Sequence, residues 1–204
     1  KTLEDGDSLA LHIFKPRNMQ AGEKRPAIVY FFGGGWKLGT PIQFYRECAY
    51  YASKGMVAVS VDYRIGYLHH STPFESFEDA KDAICWLRSH ASDYQLDPDK
   101  IAVAGGSAGG HLAAALGTIG SDETVPAGYR PNLSVLYYPV IDMVSRGYGF
   151  PEIKRDFEKI SPIHHVSEAT PSTLISLGTK DPIVSVEKIE AYQDKLLQKG
   201  VDCE

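Results

Sequence analysis

The chain has 204 residues, 43% of them hydrophobic and 23% charged, with a formal net charge of −5. That length suits one sizeable core and is short for two, so residues 1–204 are read as a single domain. The acidic balance and scattered lysines and arginines argue against nucleic-acid binding, and no apolar run reaches the length of a membrane span.

Ser8 to Phe14 has strand-like character and precedes a polar turn from Pro16 to Arg25, which predicts an early antiparallel strand. Ala27 to Phe32 reads as a buried strand that runs straight into Gly33-Gly34-Gly35-Trp36. Pro41 to Lys54 follows as a helix with Phe44, Cys48, Tyr51 and Ala52 on one face, stopped by Gly55. Val57 to Val61 is the next buried strand, followed by Asp62-Tyr63-Arg64 and an irregular stretch. A helix from about Ser76 turns Phe77, Ala80, Ala83, Ile84 and Leu87 inward at helical spacing. Asp97-Pro98-Asp99 predicts a turn into the strand Ile101 to Ala104.

Beyond an Ala/Leu-rich helix, Leu133 to Tyr138 and Ser172 to Leu177 are further strands, separated by an irregular Gly/Pro/charged stretch around Arg146 to Val166. Val186 to Lys199 is a helix with Val186, Ile189, Leu196 and Leu197 inward and Gly200 as its stop, and Val201 to Glu204 resembles the start of another strand. Strands alternating with helices predict the α/β class, with a mostly parallel sheet covered on both faces.

The chemistry concentrates in Gly105-Gly106-Ser107-Ala108-Gly109, between the Ile101 to Ala104 strand and the following helix. A serine flanked by glycines at a strand-to-helix turn is a nucleophile elbow, a bend that exposes the hydroxyl beside helix-terminal N–H groups. The upstream glycines offer more bare N–H groups, which with the amide of Ala108 could hold the oxygen of a tetrahedral intermediate. A serine needs a base oriented by a carboxylate. Asp181, just past the Ser172 to Leu177 strand, is the better acid candidate and Asp142 the weaker one. In this arrangement the histidine follows the acid, yet all seven histidines, at 12, 69, 70, 90, 111, 164 and 165, precede Asp181. His111 reads as structural, and His69, His70, His164 and His165 as loop residues. Cys48, Cys85 and Cys203 are expected as free thiols, the first two as small core residues, with no metal site and no cofactor.

Phe31-Phe32-Gly33-Gly34-Gly35-Trp36, Val61-Asp62-Tyr63-Arg64, Phe77-Glu78-Asp79-Ala80, Asp97-Pro98-Asp99-Lys100-Ile101, the Ser107 elbow through His111, and Gly178-Thr179-Lys180-Asp181 together resemble α/β-hydrolase esterases of the hormone-sensitive-lipase-like group. Within it, the carbohydrate acetyl esterases and bifunctional feruloyl and acetyl-xylan esterases are most similar, because Phe32 stands where the wider group often has histidine and no Ala-Pro-Glu follows Asp62-Tyr63-Arg64. The resemblance implies an α/β-hydrolase fold, Ser107 as nucleophile, Asp181 as acid, and the amides of Gly34, Gly35 and Ala108 as oxyanion hole. It implies a small-molecule or carbohydrate ester as substrate, carrying a short acyl group such as acetyl or feruloyl. By this comparison the chain is expected to lack the last strand and helix with the triad histidine, leaving a sheet edge through which two copies could pair. Two other classes compete: a hydrolase-like binding protein without catalysis, and a serine peptidase of related fold. A soluble protein is expected, in the cytoplasm or exported after removal of a leader, since Lys1 opens the sequence.

Overall fold

The computed structural model describes residues 1–4, 6–120, 127–143 and 156–204. Among these, six strands form one sheet in the order β1-β3-β2-β4-β5-β6. They are β1 Leu11–Phe14, β2 Arg25–Phe31, β3 Val57–Val61, β4 Leu96–Gly106, β5 Leu133–Tyr137 and β6 Ser172–Ser176. β1 lies antiparallel on β3, as expected, and every other pair is parallel. Parallel neighbours need crossovers, which the helices supply. α1 is Tyr45–Ser53, entered through a 3-10 turn at Pro41–Phe44, and α2 is Gly66–His69. α3 is Pro73–Ser89, α4 Ala91–Tyr94, α5 Ala108–Thr118, α6 Phe157–Ile160 and α7 Val186–Gln198.

Register shows that both faces are covered. Val29, Val103 and Ser134 are partners across β2, β4 and β5 and so share one face. On that face the Ser134 hydroxyl lies 3.2 Å from where a Cβ on Gly117 of α5 would stand. Tyr30 points to the other face, where its ring stacks on Phe44 at 4.8 Å, ahead of α1. Continuous apolar runs such as Ala27 to Phe31 are therefore buried throughout.

Four local expectations are corrected. α3 begins at Pro73 and not near Ser76, because Thr72 and Glu75 form a capping box: Phe74 N–H donates to Thr72 Oγ1 at 3.3 Å, and Thr72 N–H donates to Glu75 Oε2 at 2.7 Å. Burial alone would raise the Glu75 pKa, but the Thr72 hydroxyl and N–H outweigh it and hold the carboxyl below its ordinary value. β4 starts at Leu96, so Asp97-Pro98-Asp99 lies within an extended segment whose register against β2 shifts between Arg25 and Ala27. Proline tolerates such a bulge, and Asp97 Oδ1 takes the Asp99 N–H at 3.1 Å. On α7, Leu197 is exposed and Tyr192 takes its place inside, because Ile189, Tyr192 and Leu196 share one helical face. Cys85 is exposed beside the inward Ile84, whereas Cys48 is fully buried.

The stretch expected to be irregular around Arg146 to Val166 lies outside the described residues as far as 155; from Phe157 it forms α6 and a 3-10 turn at Pro162–His164. Residues 201–204 lie parallel to β6, on the edge expected to pair with a second copy. Thr173 N–H donates to Asp202 O at 2.9 Å, and Ile175 N–H to Glu204 O at 2.7 Å. Among the described residues no helix is long and apolar enough to cross a membrane.

Candidate active site

β4 passes into α5 at Ser107, whose backbone sits at φ +54° and ψ −119°. A serine there is strained by about 1–3 kcal/mol and persists only where its surroundings fix it. They do so through backbone bonds: Ser107 N–H donates to Tyr137 O at 3.0 Å, and Ser107 O accepts from His111 N–H at 2.9 Å and Val140 N–H at 3.4 Å. Gly105, Gly106 and Ala108 are buried while Ser107 is partly open, so the turn lifts one side chain out of a closed core. Gly109 allows the close approach: a Cβ there would stand 2.0 Å from Phe31 O and 2.4 Å from Phe32 O.

The glycine loop meets this bend. A Cβ placed on Gly33 would lie 2.8 Å from Gly106 O and 3.4 Å from Ser107 Cβ, so two segments distant in sequence touch at the carboxyl edge of β2 and β4. Gly34 has φ +144°, and its carbonyl accepts N–H groups from Lys37 and Leu38 at 3.1 Å each, closing the loop. Gly33 N–H is taken by Gln43 Oε1 at 2.5 Å. The N–H groups of Gly34, Gly35 and Ala108 donate to no described residue. Orphan donors in two segments that meet at a strained serine can stabilise an oxyanion.

Residues beyond the sequence-predicted set support the loop. Tyr63 stacks on Phe32 at 4.1 Å, and its hydroxyl donates to Phe32 O at 2.7 Å. The next residue, Arg64, grips buried Asp79 through Nε to Oδ2 at 2.7 Å and Nη2 to Oδ1 at 2.9 Å, and Lys1 Nζ adds a bond at 2.7 Å. A buried carboxylate so paired anchors the segment after β3 to α3. Tyr63 and Asp79 lie inside the motifs of the family resemblance, so their importance was legible although their contacts were not. Nothing local marks Gln43.

Asp181 stands past β6, at the same edge. Its Oδ1 accepts N–H groups from Ile183 at 2.8 Å and Val184 at 2.9 Å, and these two bonds, Val184 foremost, hold its carboxyl below the usual range. It is thus an ionised turn-capping carboxylate. Asp142 pairs with Lys188 Nζ at 3.2 Å. Among the described contacts no histidine side chain meets Ser107 or Asp181. His12 bonds the Tyr45 hydroxyl at 2.7 Å, His69 Nδ1 takes Ile65 N–H at 3.0 Å, and His165 Nε2 meets Glu158 O at 2.8 Å.

His111 is structural, as its place on α5 suggests. Its ring is fully buried, edge-on to Trp36 at 5.0 Å, with Nε2 2.7 Å from Ile160 O and Nδ1 without a partner among the described residues. The proton therefore belongs on Nε2, and burial pushes the pKa down to about 4. Between about pH 6.5 and that value the unfolded chain binds a proton that the folded chain refuses. Stability from this group is complete above the ordinary histidine pKa and is lost as pH falls, by about 3 kcal/mol in total. Urea unfolding at pH 7 and pH 4.5 is expected to show the loss in the parent protein and a shallower one in His111→Gln. Equal slopes would contradict it.

Two cavities lie away from Ser107. One of about 730 Å³ is lined by Phe14, Lys15, Arg17, Arg25 and Lys54 among others, and one of about 720 Å³ by Leu11, Asp62, Asp79, Trp86 and Tyr94 among others. Neither includes Ser107 or Asp181.

The BD-FAE family profile matches residues 11–145, which include the glycine loop and the elbow. Esterase LipC of Mycobacterium tuberculosis is 28% identical over 223 residues, covering 94% of this chain and 53% of LipC. Carboxylesterase NlhH of the same species is 35% identical over 107 residues, covering 50% of this chain and 31% of NlhH. The chain spans about half the length of LipC, LipM and LipQ, curated relatives that it matches. Among solved structures, the apo form of Thermogutta terrifontis esterase 2 superposes with a TM-score of 0.92 at 36% identity, covering 100% of this chain and 79% of that one. The same esterase phosphorylated by paraoxon superposes at 0.90 with 37% identity, covering 100% and 78%. The architecture is the α/β-hydrolase fold.

Proposed function

Because the chain belongs to the BD-FAE family of α/β-hydrolase esterases, we propose that it is a serine carboxylesterase acting on short-chain acyl esters of carbohydrates. In this reading Ser107 Oγ attacks the ester carbonyl and the amides of Gly34, Gly35 and Ala108 receive the developing oxyanion. Collapse expels the alcohol, and water then releases the acyl group and restores the hydroxyl. Asp181 is the carboxylate assigned to orient the proton carrier. No histidine follows it in the sequence, so the carrier is the one triad member without a residue number here.

One observation carries the reading: a serine held at φ +54° beside Gly33, with the unclaimed amides of Gly34, Gly35 and Ala108 in the two segments that meet there. The carbohydrate alcohol rests on the sequence resemblance and on Phe32, whose ring is stacked on Tyr63. One rival is a binding protein of hydrolase fold. A fluorophosphonate probe separates the two. We expect a single covalent adduct that peptide mass spectrometry places on Ser107, and faster release of acetate from an acetylated xyloside than of octanoate. An unlabelled Ser107 would favour the binding protein, and preferential cleavage of peptide amides would favour a peptidase.

A further inference from the structure

Resting on that reading, we propose that Tyr138 is a specificity-determining residue whose hydroxyl binds a hydroxyl group on the alcohol part of a sugar ester. Tyr138 immediately follows β5 and adopts φ +39°, a left-handed conformation uncommon for an aromatic residue. Two ties hold it there: its own N–H donates to Ser176 O on β6 at 2.7 Å, and the carbonyl of the preceding Tyr137 receives the Ser107 N–H at 3.0 Å. The ring is thereby coupled to the elbow. A Cβ on Gly106, the residue before Ser107, would stand 2.7 Å from the Tyr138 hydroxyl and 3.0 Å from its Cζ, so the phenol occupies the space beside the proposed nucleophile that a side chain at 106 would fill.

Tyr138 is 42% exposed, and its hydroxyl bonds no described residue. Strand order tells which part of a substrate it faces. The glycine loop follows β2 and Asp181 follows β6, while the elbow on β4 lies between β2 and β5. The carbonyl oxygen therefore points to the β2 side. The departing alcohol must be protonated from the side of the carboxylate, which is the side of β5 and β6, and Tyr138 stands there. An unpaired phenol at that point rewards an alcohol that carries a hydroxyl and offers nothing to a plain alkyl group.

The test compares the acetate ester of a methyl xyloside with ethyl acetate, which share the acyl group and differ in the alcohol. In Tyr138→Phe the ratio of kcat/KM for the sugar ester to that for ethyl acetate is expected to fall about tenfold. Binding supplies a readout that needs no turnover. The ethyl ether of the same xyloside, which cannot be cleaved, is expected to bind about tenfold more weakly to Tyr138→Phe than to the parent. An unchanged ratio, or unchanged ether affinity, overturns the assignment. Failure of the esterase reading looks different: Ser107 would resist the fluorophosphonate, while the ether comparison would still decide the role of Tyr138.

Discussion

Ser107→Ala is expected to remove all fluorophosphonate labelling and to lower ester turnover by about 10³-fold or more. Without Oγ there is no acyl-enzyme, and only the orphan amides remain to polarise a carbonyl for direct attack by water. Nucleophile and base act as a unit, so a fall of that size is expected where the proton carrier is present and a much smaller one where it is not. The size of the fall therefore measures how far the hydroxyl is activated. The variant is expected to fold normally, since the Ser107 side chain makes no hydrogen bond among the described residues and the turn is held by backbone bonds to Tyr137 O and His111 N–H. Alanine at φ +54° is no less strained than serine, which leaves a small stability change to be checked by thermal unfolding. Turnover equal to that of the parent would take Ser107 out of the chemistry.

Gly109→Ala is expected to destabilise the protein by about 3 kcal/mol or more and to impair the site with it. Helix propensity alone predicts the opposite, a gain of up to about 1 kcal/mol for replacing a helical glycine. The clash wins, because the new methyl would meet Phe31 O at 2.0 Å and Phe32 O at 2.4 Å, and both are backbone atoms, at the end of β2 and just past it, that cannot rotate away. α5 would have to back off from β2. That movement would separate Ser107 from the glycine loop, so activity and stability should fall together. A Tm lowered by about 6–12 °C is the readout for a chain of this length. Gly178→Ala serves as the comparison, since nothing lies within 4 Å of its would-be Cβ and its stability should hardly change. Similar melting of the two variants would show that packing of α5 on β2 is looser than described.

Much of the frame was legible before any coordinates. Apolar runs located β2, β3, β5 and β6 to within about two residues; burial on both faces leaves β2 and β3 an unbroken hydrophobic signature, whereas β5 and β6 are only partly buried. The glycine spacing around Ser107 marked the elbow for an equally local reason. Where the sequence reading slipped, a nearby competitor had been passed over. Thr72 with Glu75 sets the start of α3 ahead of Ser76, and the helical phase of α7 turns Tyr192 inward in place of Leu197.

Sequence by itself therefore determined the α/β class, the elbow at Ser107, the presence of a glycine loop after β2 and the candidate carboxylate at 181. Tertiary structure alone decided that Gly33 lies against Gly106 and Ser107, that Gln43 occupies the Gly33 N–H, that Asp79 reaches Phe32 through Arg64 and Tyr63, and that Tyr138 stands over Gly106. The physical reason is range. Turn, cap and burial preferences act over a few neighbouring residues, whereas these contacts depend on which strands lie side by side, and the order β2-β4-β5-β6 is fixed only when the whole sheet assembles.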